Sequence, residues 1–222
     1  MIQLPIPLFD VSILHWSQQV VGLNPALDVA LHAVAEWSAY LVPVTLVGLW
    51  FWYRRSSSTS QESLSFDAAQ GGSNTAKVSP SLVSRRVDLA ELTLAGLGSW
   101  IVLSGLVKLF LYRPRPWVAG TGVKELFFHR PDNSFPSDHS ALLFALATSA
   151  YLMGWRKSGH WLLLVAVLVS AARIATGIHW FTDIMGGLVI GVIGASLIYA
   201  VRAPLRRMIL EPIVKTLSAW GL

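Results

Sequence analysis

No cysteine occurs among the 222 residues, which excludes a disulfide-stapled secreted module. Charge is scarce as well. Asp, Glu, Lys and Arg make up 13% of the chain, about half of what a soluble globular domain carries. Apolar residues, by contrast, reach 54%, ten tryptophans among them, and the mean hydropathy is +0.55. A water-soluble globule of this size cannot bury so much apolar surface, so the composition specifies an integral membrane protein and excludes a disordered chain. Acidic residues are outnumbered 12 to 17, giving a net charge of +5. That balance suits anionic lipid head groups or a phosphate-bearing substrate; with this hydropathy, nucleic acid is a poor fit. The first 25 residues lack the basic start of a signal peptide, and no internal repeat is visible.

The expected fold class is all-α: a polytopic membrane helix bundle of five transmembrane helices plus an N-terminal interfacial helix, with six spans as the alternative. A bilayer-crossing helix needs about 20 mostly apolar residues. Five stretches qualify, over 29–53, 89–111, 140–155, 161–178 and 181–201. Pro43 kinks the first rather than ending it. Residues 1–28 form the N-terminal region, where Asp10, His15, Gln18 and Gln19 among apolar residues read as a helix lying at the interface. Residues 29–222 form the membrane domain, with Asn24-Pro25 starting its first long helix. Residues 54–86 are Ser-rich, contain Gly71-Gly72 and Pro80, and read as a flexible cytoplasmic loop.

With five spans, the 54–86 loop, the Arg156-Lys157 turn and the C-terminal tail share one side. That side holds eleven of the seventeen basic residues and is therefore cytoplasmic by the positive-inside rule. The other six, Lys108, Arg113, Arg115, Lys124, Arg130 and Arg173, gather at or near the opposite face and need a different explanation.

Three segments supply one. Lys108 to Pro116 ends the second span, Phe135-Pro136-Ser137-Asp138-His139 opens the third, and Arg173 to Asp183 joins the last two. Ionisable residues at such depth are functional candidates. Lys108, Arg115 and Arg173 make a trivalent cationic pocket suited to a phosphoryl group. Ser137 stands where a helix begins, as an N-cap whose neighbouring backbone N–H groups favour an anion, and His139 falls in the first turn beside it. His179 and Asp183 are four apart; on a shared helix face the carboxylate would hold one imidazole nitrogen and leave the other as a nucleophile. A metal pair is the rival use of those two, but two ligands make a poor site and no third is close in sequence. Taken singly, Arg113, Arg115, Lys124 and Arg130 read as an ordinary solvated loop.

The pattern Lys108-x6-Arg115-Pro116, Pro136-Ser137-x-His139, Arg173-x5-His179-x3-Asp183 resembles the tripartite signature of the type-2 phosphatidic acid phosphatase superfamily. Two positions depart from the common form. Asp138 stands where Gly is usual, as in the bacterial undecaprenyl-diphosphatase branch associated with bacitracin resistance, and Ala172 precedes Arg173 where Ser is usual. The resemblance implies a hydrolase that needs no metal or other cofactor and turns undecaprenyl diphosphate into the monophosphate, recycling the lipid carrier of cell-wall (peptidoglycan) synthesis. His179 would attack phosphorus to give a phosphohistidine, Asp183 would orient His179, and His139 would protonate the departing lipid phosphate. Lys108, Arg115, Arg173 and Ser137 would bind the phosphoryl oxygens. Asp138, in the same group, would repel an anion unless its side chain turns away. The enzyme would sit in the bacterial cytoplasmic membrane with its site facing the periplasm or cell exterior.

Asp28, His32 and Glu36 form a polar stripe on the first span, and Glu36 is an accessory candidate for contacting the diphosphate. Rival functions are a phosphatase of another lipid phosphate such as phosphatidylglycerol phosphate, a lipid phosphotransferase, and a lipid-binding or flipping module without catalysis. A transporter is disfavoured because no inverted repeat or broken-helix pair is visible.

Overall fold

The computed structural model describes residues 1–38, 41–42, 44–51, 82–124 and 132–219. It is built almost entirely of helices. Strand β1 (Ile2–Gln3) is followed by α1 (Leu8–Ser17) and a 3-10 turn over Gln18–Val20. Helix α2 (Pro25–His32) starts as its sequence predicts. The Asn24 side chain accepts the Ala26 N–H at 2.8 Å, and Pro25, with no N–H to satisfy, fills the first turn. The helix widens into a π-turn over Ala33–Trp37, and residues 41–42 and 44–51 are helical too.

Then come α3 (Leu82–Leu97), a π-segment (Gly98–Ser104) and α4 (Gly105–Phe110), which together form one continuous rod. Strand β2 (Leu111–Tyr112) leads to α5 (Asp138–Leu152), α6 (Arg156–Ala175) and α7 (Phe181–Ala200). The tail carries α8 (Arg202–Leu205), a π-turn and α9 (Glu211–Ala219).

Among the described residues, three helices are long and apolar enough to cross a membrane: Ser84–Phe110, Arg156–Ala175 and Phe181–Ala200. They correspond to the second, fourth and fifth expected spans. The first expected span runs through residues outside the described set, Pro43 among them. The third corresponds to α5 (Asp138–Leu152), close to the stretch expected over 140–155. Helix α5 has 15 residues, about 22 Å long and less than the hydrocarbon core. It occupies the bundle centre, with Ser140 to Ala147 all buried between α3, α6 and α7. Most of the loop expected at 54–86 lies outside the described residues; its last part is helical, since α3 begins at Leu82.

The contact between α5 and α7 sets the geometry of the end of the bundle where the motifs lie. A Cβ on Gly187 would fall 2.6 Å from the Ser137 carbonyl, and one on Gly191 would fall 2.7 Å from that of Ala141. Only glycine permits so close a backbone approach. The start of α5 is thereby pressed onto the first turns of α7, and the Ser137 N–H donates to the Asp183 carbonyl at 3.1 Å.

Large apolar side chains face outward along the long helices, for example Trp161, Leu168, Val189 and Leu197, as a lipid-facing surface requires. At the end of the bundle away from the motifs, Glu91 is buried and paired with Arg206 and Arg202, which ties the C-terminal tail to α3.

The N-terminal region packs against the helix bundle. Strand β1 pairs in parallel with β2, Ile2 beside Leu111, and Asp10 and Leu14 are fully buried against α6 and α7. Gln18 donates to the Ala175 carbonyl at 3.3 Å and accepts the Lys124 N–H at 3.0 Å, joining three segments.

Candidate active site

All three motifs meet at one end of the bundle. His179 lies in the turn between α6 and α7, with only 2% of its surface exposed. The reversal is made by Gly177, whose φ of +71° suits glycine and whose added Cβ would strike Val123. Helix α7 begins at Phe181, so His179 and Asp183 do not share a helix face as their spacing suggests. Asp183 instead sits in the first turn, and its Oδ2 accepts the Trp180 N–H at 2.9 Å, stabilising the helix start. That oxygen stands 3.6 Å from Nδ1 of His179.

Ser134, a residue that no motif singles out, closes the gap. Its hydroxyl donates to Oδ2 of Asp183 and lies 3.4 Å from Nδ1 of His179.

Arg113 is the clearest departure from expectation. It is 5% exposed and not part of a solvated loop. Its Nη1 donates to Oδ1 of Asp183 at 2.9 Å and also to the Thr182 hydroxyl, while Nη2 donates to the Pro5 carbonyl at 2.9 Å. Asp10 of α1 completes the network by accepting the Thr182 N–H at 3.0 Å.

Arg173 faces the two histidines. Its Nη2 is 3.2 Å from Nε2 of His179 and its Nη1 is 3.3 Å from Nε2 of His139, while Nη1 also donates to the Ala35 carbonyl at 2.7 Å. A guanidinium only donates, so both Nε2 atoms accept, and a neutral ring here carries its proton on Nδ1. Arg173 is buried, has no carboxylate partner among the described residues, and its Nε is also unbonded there. A buried cation with no carboxylate in direct ion-pair contact is costly, and such a position suits an anion. Glu36, on the π-turn after α2, is exposed yet close enough to Arg173 to interact electrostatically.

The remaining cations are held at the rim. Lys108 pairs with Asp138, whose Oδ1 also accepts the Ser104 hydroxyl at 2.6 Å. The Asp138 carboxylate is therefore engaged with α4 and the π-segment. Arg115 pairs with Asp132 at 2.5 Å and donates to the Ile178 carbonyl at 2.9 Å. Ser137 occupies the N-cap position of α5 as expected, but its hydroxyl makes no capping bond; it accepts the Ser140 hydroxyl at 3.2 Å.

Burial pushes the His179 imidazole well below the usual histidine range; Arg115, Arg173 and Lys108 push the same way, and Ser134 opposes them. The ring is neutral at pH 7, with a lone pair on the Nε2 that faces Arg173. Among the described residues no group of three or more His, Cys, Asp or Glu is placed to hold a metal ion.

Known proteins resemble the chain in sequence and in fold. It is 40% identical to YbjG of Escherichia coli K12 over 65 residues, covering 28% of this chain and 32% of that one. It is 36% identical to undecaprenyl-diphosphatase BcrC of Bacillus subtilis over 93 residues, covering 42% and 47% respectively. The chain thus spans between about a third and about a half of the length of these relatives. The crystal structure of Aquifex aeolicus LpxE superposes with a TM-score of 0.64 over 89% of this chain and 98% of that one, at 22% identity, so it shares the fold. A family model described as the PAP2 superfamily matches residues 90–207, which carry all three motifs and make up more than half of the chain, and the chain therefore belongs to that superfamily.

Proposed function

We propose that the protein hydrolyses undecaprenyl diphosphate to undecaprenyl phosphate and inorganic phosphate through a phosphohistidine on His179. The observation that carries this reading is the buried Arg173 guanidinium, which has no carboxylate partner among the described residues and bridges Nε2 of His179 and Nε2 of His139. A terminal phosphoryl group entering there finds a nucleophile on one side, a proton donor on the other, and a cation between them to take its oxygens.

The His179 Nε2 lone pair forms the N–P bond as the P–O bond to the lipid phosphate breaks. His139, carrying a proton taken up with the anionic substrate, donates it to the departing oxygen. Water then attacks the phosphohistidine, its proton passing to His139, and phosphate leaves with the His179 ring restored. Asp183, backed by Ser134, holds Nδ1–H while the ring is positively charged. Arg115 and Lys108 join Arg173 on the phosphoryl oxygens once the diphosphate draws them from Asp132 and Asp138.

Two further observations support the choice of a polyprenyl diphosphate. A relative matching 42% of this chain is named undecaprenyl-diphosphatase. Apolar side chains such as Val102 and Leu106, exposed beside the Lys108 end of the rod, offer a surface for a prenyl chain next to the cationic pocket. The protein is read as a multi-pass protein of the bacterial cytoplasmic membrane with the site facing outward, because a five-span topology would put eleven of its seventeen basic residues on the opposite side.

The test is phosphate release by detergent-purified protein in excess EDTA, from undecaprenyl diphosphate and from phosphatidylglycerol phosphate side by side. The reading predicts preferential release from the diphosphate, unaffected by EDTA and absent in His179→Ala. Preference for phosphatidylglycerol phosphate, or loss of activity in EDTA, contradicts it.

A further inference from the structure

Asp10 lies outside the three motifs and outside the residues that the family model matches, yet its carboxylate is fully buried beside the support of the reacting histidine. Oδ1 accepts the Thr182 N–H at 3.0 Å, and Oδ2 accepts the Thr182 hydroxyl and stands 3.5 Å from Nη1 of Arg113. The same Nη1 donates to Asp183 at 2.9 Å. One buried guanidinium therefore serves two buried carboxylates, one from α1 and one from α7.

The charge count has a chemical consequence. Paired with Arg113 alone, Asp183 would form a neutral unit and offer little to a positively charged imidazole. With Asp10 sharing the guanidinium, two negative charges face one positive, and one net negative charge remains beside His179. That charge matters when Nε2 has taken the phosphoryl group and the ring, still protonated at Nδ1, is cationic.

We infer that Asp10 is a positioning residue for the proposed reaction: through Arg113 and Thr182 it keeps the Asp183 carboxylate electrostatically available to His179. The inference rests on the reading of His179 as nucleophile.

Other charges face the same ring. Arg173 approaches from α6, His139 from α5, Lys108 from α4 and Arg115 from the segment after β2, all acting electrostatically on one or both histidines. Asp138 and Asp132 pair with Lys108 and Arg115, and Glu36 lies near Arg173. The described ionic partner of Asp10 is Arg113, so a change at Asp10 reaches His179 through that network.

The experiment is kcat/KM against pH for the full-length wild type, Asp10→Asn and Asp10→Glu, each purified as folded protein, with undecaprenyl diphosphate as substrate. Ionisation of the substrate is the same in all three and cancels in the comparison. Removing the buried negative charge disfavours the imidazolium, so the acid limb of Asp10→Asn moves down by about one pH unit, and kcat falls about tenfold with KM within about twofold. Asp10→Glu keeps the charge and holds the wild-type limb. A purely structural role would favour the isosteric Asn over the longer Glu and leave the limb in place.

An Asn variant with the wild-type limb, or a Glu variant displaced as far as Asn, overturns the inference. Should Asp10→Asn not fold, Asp10→Ser, which also removes the charge, takes its place: a lowered acid limb supports the coupling and an unmoved one overturns it. Wild-type turnover that does not depend on His179 overturns the nucleophile and this coupling together. A His179-dependent wild type with an unshifted Asn variant overturns the coupling only.

Discussion

Nη2 of Arg173 stands 3.2 Å from Nε2 of His179, so the atom read as the nucleophile is already in contact with the cation read as the phosphoryl ligand. The same guanidinium reaches His139 through Nη1 at 3.3 Å. Only a planar fork spans both rings. Arg173→Lys keeps the charge but supplies a single point donor, and is expected to lower kcat by about a hundredfold. Steady-state kinetics on the variant check this; a loss below about threefold would mean that the fork geometry is unimportant.

Ser134 links the Asp183 carboxylate to the edge of His179 that carries the proton. With the carboxylate 3.6 Å from Nδ1, removal of the hydroxyl leaves His179 less firmly oriented. Ser134→Ala is expected to reduce kcat about tenfold with little change in KM, in keeping with one lost hydrogen bond of about 1.5 kcal/mol. A change confined to KM would contradict this placement.

Lys108 pairs with Asp138, their side chains 23% and 32% exposed. At that exposure the pair is worth at most about 1 kcal/mol. Asp138→Asn frees the ammonium, so inhibition by inorganic phosphate should tighten by about fivefold. Competition assays measure the effect, and weaker inhibition would show that Asp138 contributes to anion binding rather than competing with the anion.

The burial of His179 makes stability depend on pH. Its folded-state value lies well below the ordinary histidine value of about 6.5. The unfolded chain therefore binds a proton that the folded chain refuses as pH falls below about 6.5, and the stability contributed by the neutral ring is lost on acidification. It is fully present above that pH. Melting temperatures at pH 7.5 and 5.5 should fall more on acidification for the wild type than for His179→Asn, which lacks the group. Equal falls would contradict a buried neutral imidazole.

Much of this site is legible in the sequence because each motif marks a helix end: Lys108 near the end of α4, Ser137 at the cap of α5, and Arg173 and His179 around the turn into α7. Local spacing carries that information. What it does not carry is partner choice across the chain. Arg113 sits two residues from Arg115 in a basic stretch, and nothing local distinguishes the buried one from its neighbour. Asp10 meets Thr182 across 172 positions, and its one visible signal is that it is the single carboxylate of α1. The polarity of residues 1–25 suggests an interface, and it does not reveal that Asp10 and Gln18 bond to the site's own framework. The apolar run of α5 reads as a span, and the helix is the central element of the bundle; apolar composition alone does not separate burial by protein from burial by lipid.

A covalent bond between His179 and phosphorus is visible to a rapid-quench experiment. Wild type and His179→Asn are mixed with undecaprenyl diphosphate radiolabelled in its terminal phosphate and stopped within the first turnover. The account predicts label on wild-type protein that is stable to alkali and released by acid, as a phosphohistidine is, and none on the variant. Full turnover by wild type with no labelled protein at any time, or label of the same kind on His179→Asn, would contradict it.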